Sequence, residues 1–276
     1  MKDLEIAIGC GGGTLPELIN IYNACFDDGT GYADMLFSRR IDPSLAVTAK
    51  SGKAICGAFC FIPLSVCGKK GVMLYALGVL PEYRGRGIGG ALVSFAKDYC
   101  KKNGLVCLLH PADNGLFGYY EKLGFNDKIC SKLAVYHGRE YGLRIRALTS
   151  SDYCKRRNGY LAGRPSVVWN EDDVGYAVLE NAFCGGLCVG GDDFIALLSR
   201  EKGRVTVREL LTDRYESASL LKRYALAAGS MCGVSDVSAV YPVWYADGIR
   251  YRSALAYNMP EDINGADDLF FGLMLD

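Results

Sequence analysis

Residues 71–125 read GVMLYALGVLPEYRGRGIGGALVSFAKDYCKKNGLVCLLHPADNGLFGYYEKLGF. The run from Val72 to Leu80 is rich in branched and aromatic residues and stops at Pro81, which predicts a strand. A turn of glycine and arginine follows, Arg84-Gly85-Arg86-Gly87-Ile88-Gly89-Gly90. Leu92, Phe95, Ala96 and Tyr99 then recur at helical spacing up to Asn103-Gly104, a combination that starts and stops a helix. A second strand is expected over Leu105–Leu109, and after His110-Pro111 another helix from about Asn114. Strand, glycine turn, helix, strand is a βαβ unit, so the two strands should be parallel neighbours.

The glycines have a mechanical consequence. Gly85, Gly87 and Gly89 leave consecutive amide N–H groups uncovered at a helix N-terminus, where an anion is best received. Arg84 and Arg86 add donors suited to phosphate geometry. A flexible loop beside a solvated arginine pair is the alternative. A Walker A loop is excluded, because no Lys-Ser or Lys-Thr follows the last glycine. A dinucleotide fingerprint fits poorly, because Pro81-Glu82-Tyr83 separates strand from turn and the next strand ends in Leu109-His110 rather than an acid.

These residues resemble the core of the Gcn5-related N-acetyltransferases. That family's acetyl-CoA signature, Arg/Gln-x-x-Gly-x-Gly/Ala, is similar to Arg84–Gly89, and its lead-in to Gly78–Arg84. Its second signature is similar to Asn114 with Tyr120-Glu121-Lys122-Leu123-Gly124-Phe125. The resemblance implies an α/β fold with a central mixed sheet flanked by helices, and acetyl-CoA as co-substrate. Leu77, Val79, Arg84, Gly85, Arg86, Gly87, Ile88, Gly89 and Asn114 are the implied cofactor-binding positions, with the backbone near Val79 meeting the oxyanion. Tyr120 matches the family's proton-donating tyrosine, and Tyr119 beside it is expected to pack into the core. Asn114 is equally explained as a helix cap.

With 276 residues, 50% hydrophobic and 22% charged, the chain has material for two medium domains. Lysine plus arginine and aspartate plus glutamate balance at 31 each, so nothing in the net charge calls for nucleic acid or an anionic membrane. The opening MKDLEIAIGC is acidic and lacks a long apolar run, so no signal peptide is expected, nor any membrane span elsewhere, and a cytoplasmic location follows. Twelve cysteines with only His110 and His137 lack zinc-knuckle spacing, so reduced core thiols and no metal site are expected.

Around the quoted stretch, a strand is expected at Leu4–Ile8, helices at Leu15–Cys25 (capped by Thr14) and Tyr32–Ser38, and a hairpin at Leu45–Lys50 and Ala54–Leu64. Closing strands at Phe125–Cys130 and Leu133–Tyr136 complete a first domain, 1–138. Residues 139–276 repeat the order. A strand is expected at Leu143–Leu148, then helices from Thr149 or Ser150 and over Glu171–Phe183 capped by Asn170. A three-strand meander over 187–211, a helix at Ser217–Ala228 and strands at Val237–Tyr241, Ile249–Tyr257 and Leu269–Leu275 follow. Where a phosphate turn would lie, this half has Leu211-Thr212-Asp213-Arg214-Tyr215-Glu216, acidic and without glycine. It is expected to be a degenerate copy that does not bind CoA; the whole chain loosely resembles tandem, Eis-type acetyltransferases.

Acetyl transfer to an amine also needs a base, and the strand before Val79 carries no carboxylate. His110, acting through a water, and Asp276 are the candidates. Asp276 is suggested by the apolar run 269–275 ending on an acid and by the C-terminal carboxylate of the Eis-type enzymes. Acids in the last 16 residues favour a cationic small-molecule amine as acceptor, with the protein a monomer or homodimer. An acyl-CoA-binding sensor without turnover, or a structural protein that has lost the cofactor, is the competing class.

Overall fold

The computed structural model describes residues 4–9, 15–201, 203–261, 263 and 268–273. The chain divides into two compact units, Met1–Asp127 with Leu255–Asn264 and Lys128–Ala254 with Gly265–Asp276. Each is an α/β unit built on a mixed sheet flanked by helices.

The first unit contains, in order, β1 (Leu4–Ile8), α1 (Leu15–Cys25), α2 (Tyr32–Arg39), β2 (Ala46–Ser51), β3 (Ala54–Val66), β4 (Lys69–Val79), α3 (Ile88–Asn103), β5 (Val106–Leu109) and α4 (Leu116–Lys122). Strands β1 to β4 form an antiparallel meander. The β3–β4 turn has only two residues, Cys67 (φ 48°) and Gly68 (φ 81°), both left-handed as a tight hairpin requires. That turn carries β4 three residues further back than the expected start at Val72. Strands β4 and β5 are parallel, as the βαβ pattern requires, and pair over Gly71–Met73 and Val106–Leu108. The buried stripe of α3 (Ile88, Leu92, Val93, Ala96, Cys100) packs on Phe59, Phe61, Val72 and Leu74 of the sheet. Gly104 (φ 62°) ends α3 as a left-handed cap. The expected Thr14 cap lies outside the described residues.

The second unit contains β6 (Asp127–His137), β7 (Arg146–Ala147), α5 (Ser150–Leu161), β8 (Val167–Val168), α6 (Glu171–Phe183), β9 (Leu187–Gly190), β10 (Phe194–Glu201), β11 (Arg204–Thr212), α7 (Ala218–Met231), β12 (Asp236–Tyr241) and β13 (Ile249–Tyr257). Its sheet runs β6-β12-β11-β10-β9-β7. As in the first unit, a meander (β9, β10, β11) leads through a helix to a parallel neighbour, β12, paired over Val205–Val207 and Val237–Ala239.

Two expectations about strands are corrected. The closing strands 125–130 and 133–136 are one continuous strand, β6, because Ser131 and Lys132 stay extended, Lys132 opposite Tyr241 of β12 and Ser131 donating to the Ser253 hydroxyl. Thus β6 belongs to the second unit's sheet, while the last residues of β13, Leu255–Tyr257, pair with β5 in the first. Of the strand expected at Leu269–Leu275, the described residues Leu269–Leu273 are buried but do not form a strand, and Met274 and Leu275 lie outside the described residues. Phe270 makes a single bridge to Ser166, and Gly272 (φ 51°) and Leu273 (φ 40°) turn the chain left-handed directly afterwards.

Buried chemistry organises the second unit too. Arg157 (1% exposed) and Glu209 (0%) form an ion pair at 3.0 Å, and the Tyr153 hydroxyl donates to the same carboxylate at 2.8 Å. Among the described residues no helix is long and apolar enough to cross a membrane, no group of three His, Cys, Asp or Glu is placed to hold a metal, and no cysteine is in a disulfide.

Candidate active site

The site begins where β4 leaves β5. Their pairing stops at Met73 opposite Leu108. Just beyond, Ala76 takes φ 55° and the register against β3 shifts between Ala58 and Cys60, so β4 carries a bulge. A bulge turns the strand and re-aims its backbone groups. The Leu80 amide bonds Cys56 O of β3 at 3.0 Å. Alternation along an extended strand therefore turns the Val79 amide the other way, toward the side β5 has vacated. Leu77 and Val79 are both half-buried there.

The Val79 carbonyl is already engaged. It accepts from Arg84 Nε at 3.0 Å and from the Cys25 thiol at 3.5 Å, and Arg84 also contacts that thiol at 3.9 Å. Arg84 thus braces the end of β4. Arg86 donates to Glu82 O at 2.9 Å and lies over the Tyr83 ring at 5.3 Å. Cys25 has no counterpart in the sequence argument, because nothing local links the end of α1 to Val79. The only trace is Gly78, where a Cβ would stand 2.9 Å from the Cys25 sulfur.

Between the two arginines and α3 the backbone is set for an anion. Gly85 (φ 75°) and Gly87 (φ 77°) are left-handed, which makes glycine necessary at both. Gly87 is the N-cap of α3, and no side chain caps the helix. Ala91 is the first residue whose amide bonds back, to Gly87 O, leaving the amides of Ile88, Gly89 and Gly90 without intrahelical acceptors. Ile88 itself is buried and anchors the turn in the core.

The second signature lies on α4. Its helix starts two residues later than expected, with Gly115 as N-cap and no side-chain cap; the Asp113 carboxylate, two residues before it, accepts from Gly115 N (2.7 Å) and Leu116 N (3.2 Å). Asn114 is exposed and precedes the N-cap, Gly115, which corrects its reading as cap. Gly124 (φ 92°) lets Phe125 N reach back to Tyr120 O at 3.1 Å and drops Phe125 into the core.

The adjacent tyrosines are placed opposite to the expected packing. Tyr120 is the core member, 8% exposed, packed edge-on to Phe125 at 6.2 Å. Burial, and then the neighbouring Tyr119, push its hydroxyl up to about 12. Tyr119 is 38% exposed, and its hydroxyl lies beside Gly89, 3.0 Å from where a Cβ would stand. A helix turns 100° per residue, so neighbours share no face, and only the tertiary packing decides which one goes in. His110 is half-buried, immediately after β5. Asp276 lies outside the described residues.

In the second unit, β11 and β12 also part, and a tyrosine is bonded to the end of β11. Pairing of β11 with β12 ends at Val207 opposite Ala239, and the Tyr245 hydroxyl accepts from Thr212 N at 2.9 Å and donates to Thr212 O at 3.1 Å. Tyr245 stacks between Tyr215 and Tyr241, at 5.6 and 5.8 Å. The Ser217 hydroxyl caps α7 by accepting from Leu220 N.

Residues 15–125 match the profile of the acetyltransferase (GNAT) family. An uncharacterized N-acetyltransferase of Methanocaldococcus jannaschii is 41% identical over 58 residues, 20% of this chain and 26% of that protein, so the match spans about a quarter of the relative. Among solved structures, a GCN5-related N-acetyltransferase from Kribbella flavida is similar with a TM-score of 0.65 and 16% identity, covering 92% of this chain and 70% of the other. Eis1 from Mycobacterium abscessus gives 0.61 and 14%, covering 91% and 73%. These two likenesses speak to the fold alone.

Proposed function

Because residues 15–125 carry the GNAT acetyltransferase profile, we propose that the chain is an acetyl-CoA-dependent N-acyltransferase that acetylates a primary amine of a cationic small molecule. The observation that carries this reading is the uncapped start of α3 opening beside the gap between β4 and β5. The residues fit the cofactor. The left-handed glycines keep the amides of Ile88–Gly90 clear, and no atom lies within 4 Å of where a Gly85 Cβ would be. Gly85, Gly87, Ile88 and Gly89 would hold the diphosphate through their backbone, and Arg84 and Arg86 would supply positive potential. Leu77 and Val79 would line the pantetheine arm, and the Val79 amide is the donor for the carbonyl oxygen. Asn114, exposed before α4, keeps its side chain for the same arm. The bound thioester supplies an activated acetyl group.

Tyr120 acts as the donor to the departing thiolate. Its raised pKa keeps it protonated throughout the neutral range. The acceptor must first lose a proton, because a lysine-like amine of pKa about 10.4 is neutral in only about one part in 2,500 at pH 7. Direct attack by the neutral amine follows. His110 through a water is one candidate base and Asp276 the other; deleting Asp276, compared with extending the chain by alanines, tests the second.

We further propose that the second unit is a degenerate copy of the first. Support comes from the recurring meander–helix–parallel strand order and from Tyr245 standing in its gap. Calorimetry with CoA tests cofactor binding, and release of free CoA thiol over a panel of amines tests turnover. CoA binding at one site per chain with turnover is expected. Binding without turnover on any amine would instead support a sensor, and no binding would remove both readings.

A further inference from the structure

Tyr119 lies on the open side of α4, and its ring is held edge-on to Tyr120 at 5.1 Å and 72°. Its hydroxyl occupies the space that a side chain at Gly89 would fill, 3.0 Å from the Cβ position, with Val79 Cγ2 bordering the same point at 3.9 Å. Gly89 does not need to be glycine for its own backbone, since it is not among the left-handed residues. The missing side chain makes room for the tyrosine oxygen instead. Gly90, one residue on, meets nothing closer than Leu123 Cδ2 at 3.9 Å. Burial alone raises the Tyr119 pKa; no hydrogen bond to the described residues contributes. The hydroxyl is therefore a protonated donor with no acceptor among those residues, half-open to solvent and beside amides that also lack acceptors.

We propose that Tyr119 is a positioning residue for the cofactor, its hydroxyl adding a side-chain donor to the backbone amides of Gly87–Gly89 that hold the diphosphate. The inference rests on the cofactor reading above and assigns the two neighbouring tyrosines different work. Tyr119 holds the anion at the helix end, and Tyr120 serves the sulfur. It also accounts for the small residue at 89: a Cβ there would stand 3.0 Å from the hydroxyl, and a longer side chain would take the hydroxyl's place.

The test is calorimetric titration of the full chain with CoA, alongside competition by pantetheine, which shares the arm and thiol but lacks the diphosphate. A hydrogen bond to a charged group makes the expected loss of CoA affinity in Tyr119→Phe about tenfold or more, with pantetheine competition unchanged. Gly89→Ala asks the hydroxyl to give by only a few tenths of an ångström and should weaken CoA less than Tyr119→Phe does, and the double variant should lose little beyond Tyr119→Phe, as for two changes acting through one contact. Unchanged CoA affinity in Tyr119→Phe overturns the inference, and so does an equal loss for CoA and pantetheine, which would make Tyr119 a packing residue. A wild-type chain that binds no CoA would defeat the cofactor reading itself, an outcome distinct from either.

Discussion

Replacing Tyr120 with phenylalanine removes one oxygen from a side chain that is 8% exposed and packed on Phe125 and Tyr119. The magnitude follows from the hydroxyl's surroundings. Burial lifts its pKa to about 12, whereas a thiol lies near 8.5, so complete proton transfer to the thiolate would be uphill by about 5 kcal/mol. In the proposed reading Tyr120 is therefore a hydrogen-bond donor while charge builds on sulfur, and the proton is made up from solvent afterwards. A hydrogen bond to a charged atom contributes about 1.5–3 kcal/mol, equivalent to about ten- to 150-fold in kcat. No hydrogen bond to the described residues acts on the hydroxyl pKa, so stability should hold and Tm should move by no more than about 2 °C. CoA affinity should stay within a few-fold. The assay is release of free CoA thiol at saturating acetyl-CoA, with CoA titration and thermal unfolding of the same preparation. A kcat within twofold of wild type, in a folded variant that binds CoA normally, would refute the assignment. A large loss of CoA affinity in place of kcat would show that the roles of Tyr119 and Tyr120 are exchanged.

Three other outcomes are expected. Gly87→Glu places a side chain at φ 77° and a carboxylate on the anion turn, so CoA binding should vanish in titration; Asp213→Gly in the second unit should leave one CoA per chain, and two would contradict the plugged gap. Glu209→Ala strands the buried Arg157 cation and should cost about 3–5 kcal/mol in urea unfolding; a loss below about 1 kcal/mol would mean that water reaches the pair. Tyr120, with a folded pKa of about 12 against the ordinary 10, contributes stability that is complete below pH 10 and lost as the pH rises to 12, about 3 kcal/mol for the two-unit gap. Tyr22, Tyr136, Tyr241 and Tyr245 are raised in the same direction, burial first, so tyrosinate absorbance should rise together with loss of structure above pH 10; free titration of these tyrosines in a folded chain would refute this.

What the sequence by itself determined is what short-range physics controls. Helix starts at Thr149, Asn170 and Ser217 were legible because each hydroxyl or amide oxygen accepts from an amide three residues on, and Asn170 with Asp173 completes a capping box. The glycine turn's conformation was legible for the same reason: Gly85 and Gly87 are needed for their own φ, and a βαβ unit brings β4 beside β5 through one helix. Tertiary structure decided wherever the partner is distant in the chain. An apolar run such as Leu269–Phe271 must be buried, but extended pairing depends on a neighbouring strand, and Gly272 and Leu273 turn away from it. The continuity of β6 came from β12, about a hundred residues on, and the path of the loop put Gly115 rather than Asn114 at the N-cap of α4. The same holds for Cys25 on Val79, for Tyr245 in the gap beside Thr212, and for which of two adjacent tyrosines enters the core. Backbone angles and caps are paid for locally and leave a local signature, whereas the face a side chain presents is chosen by whatever packs against it.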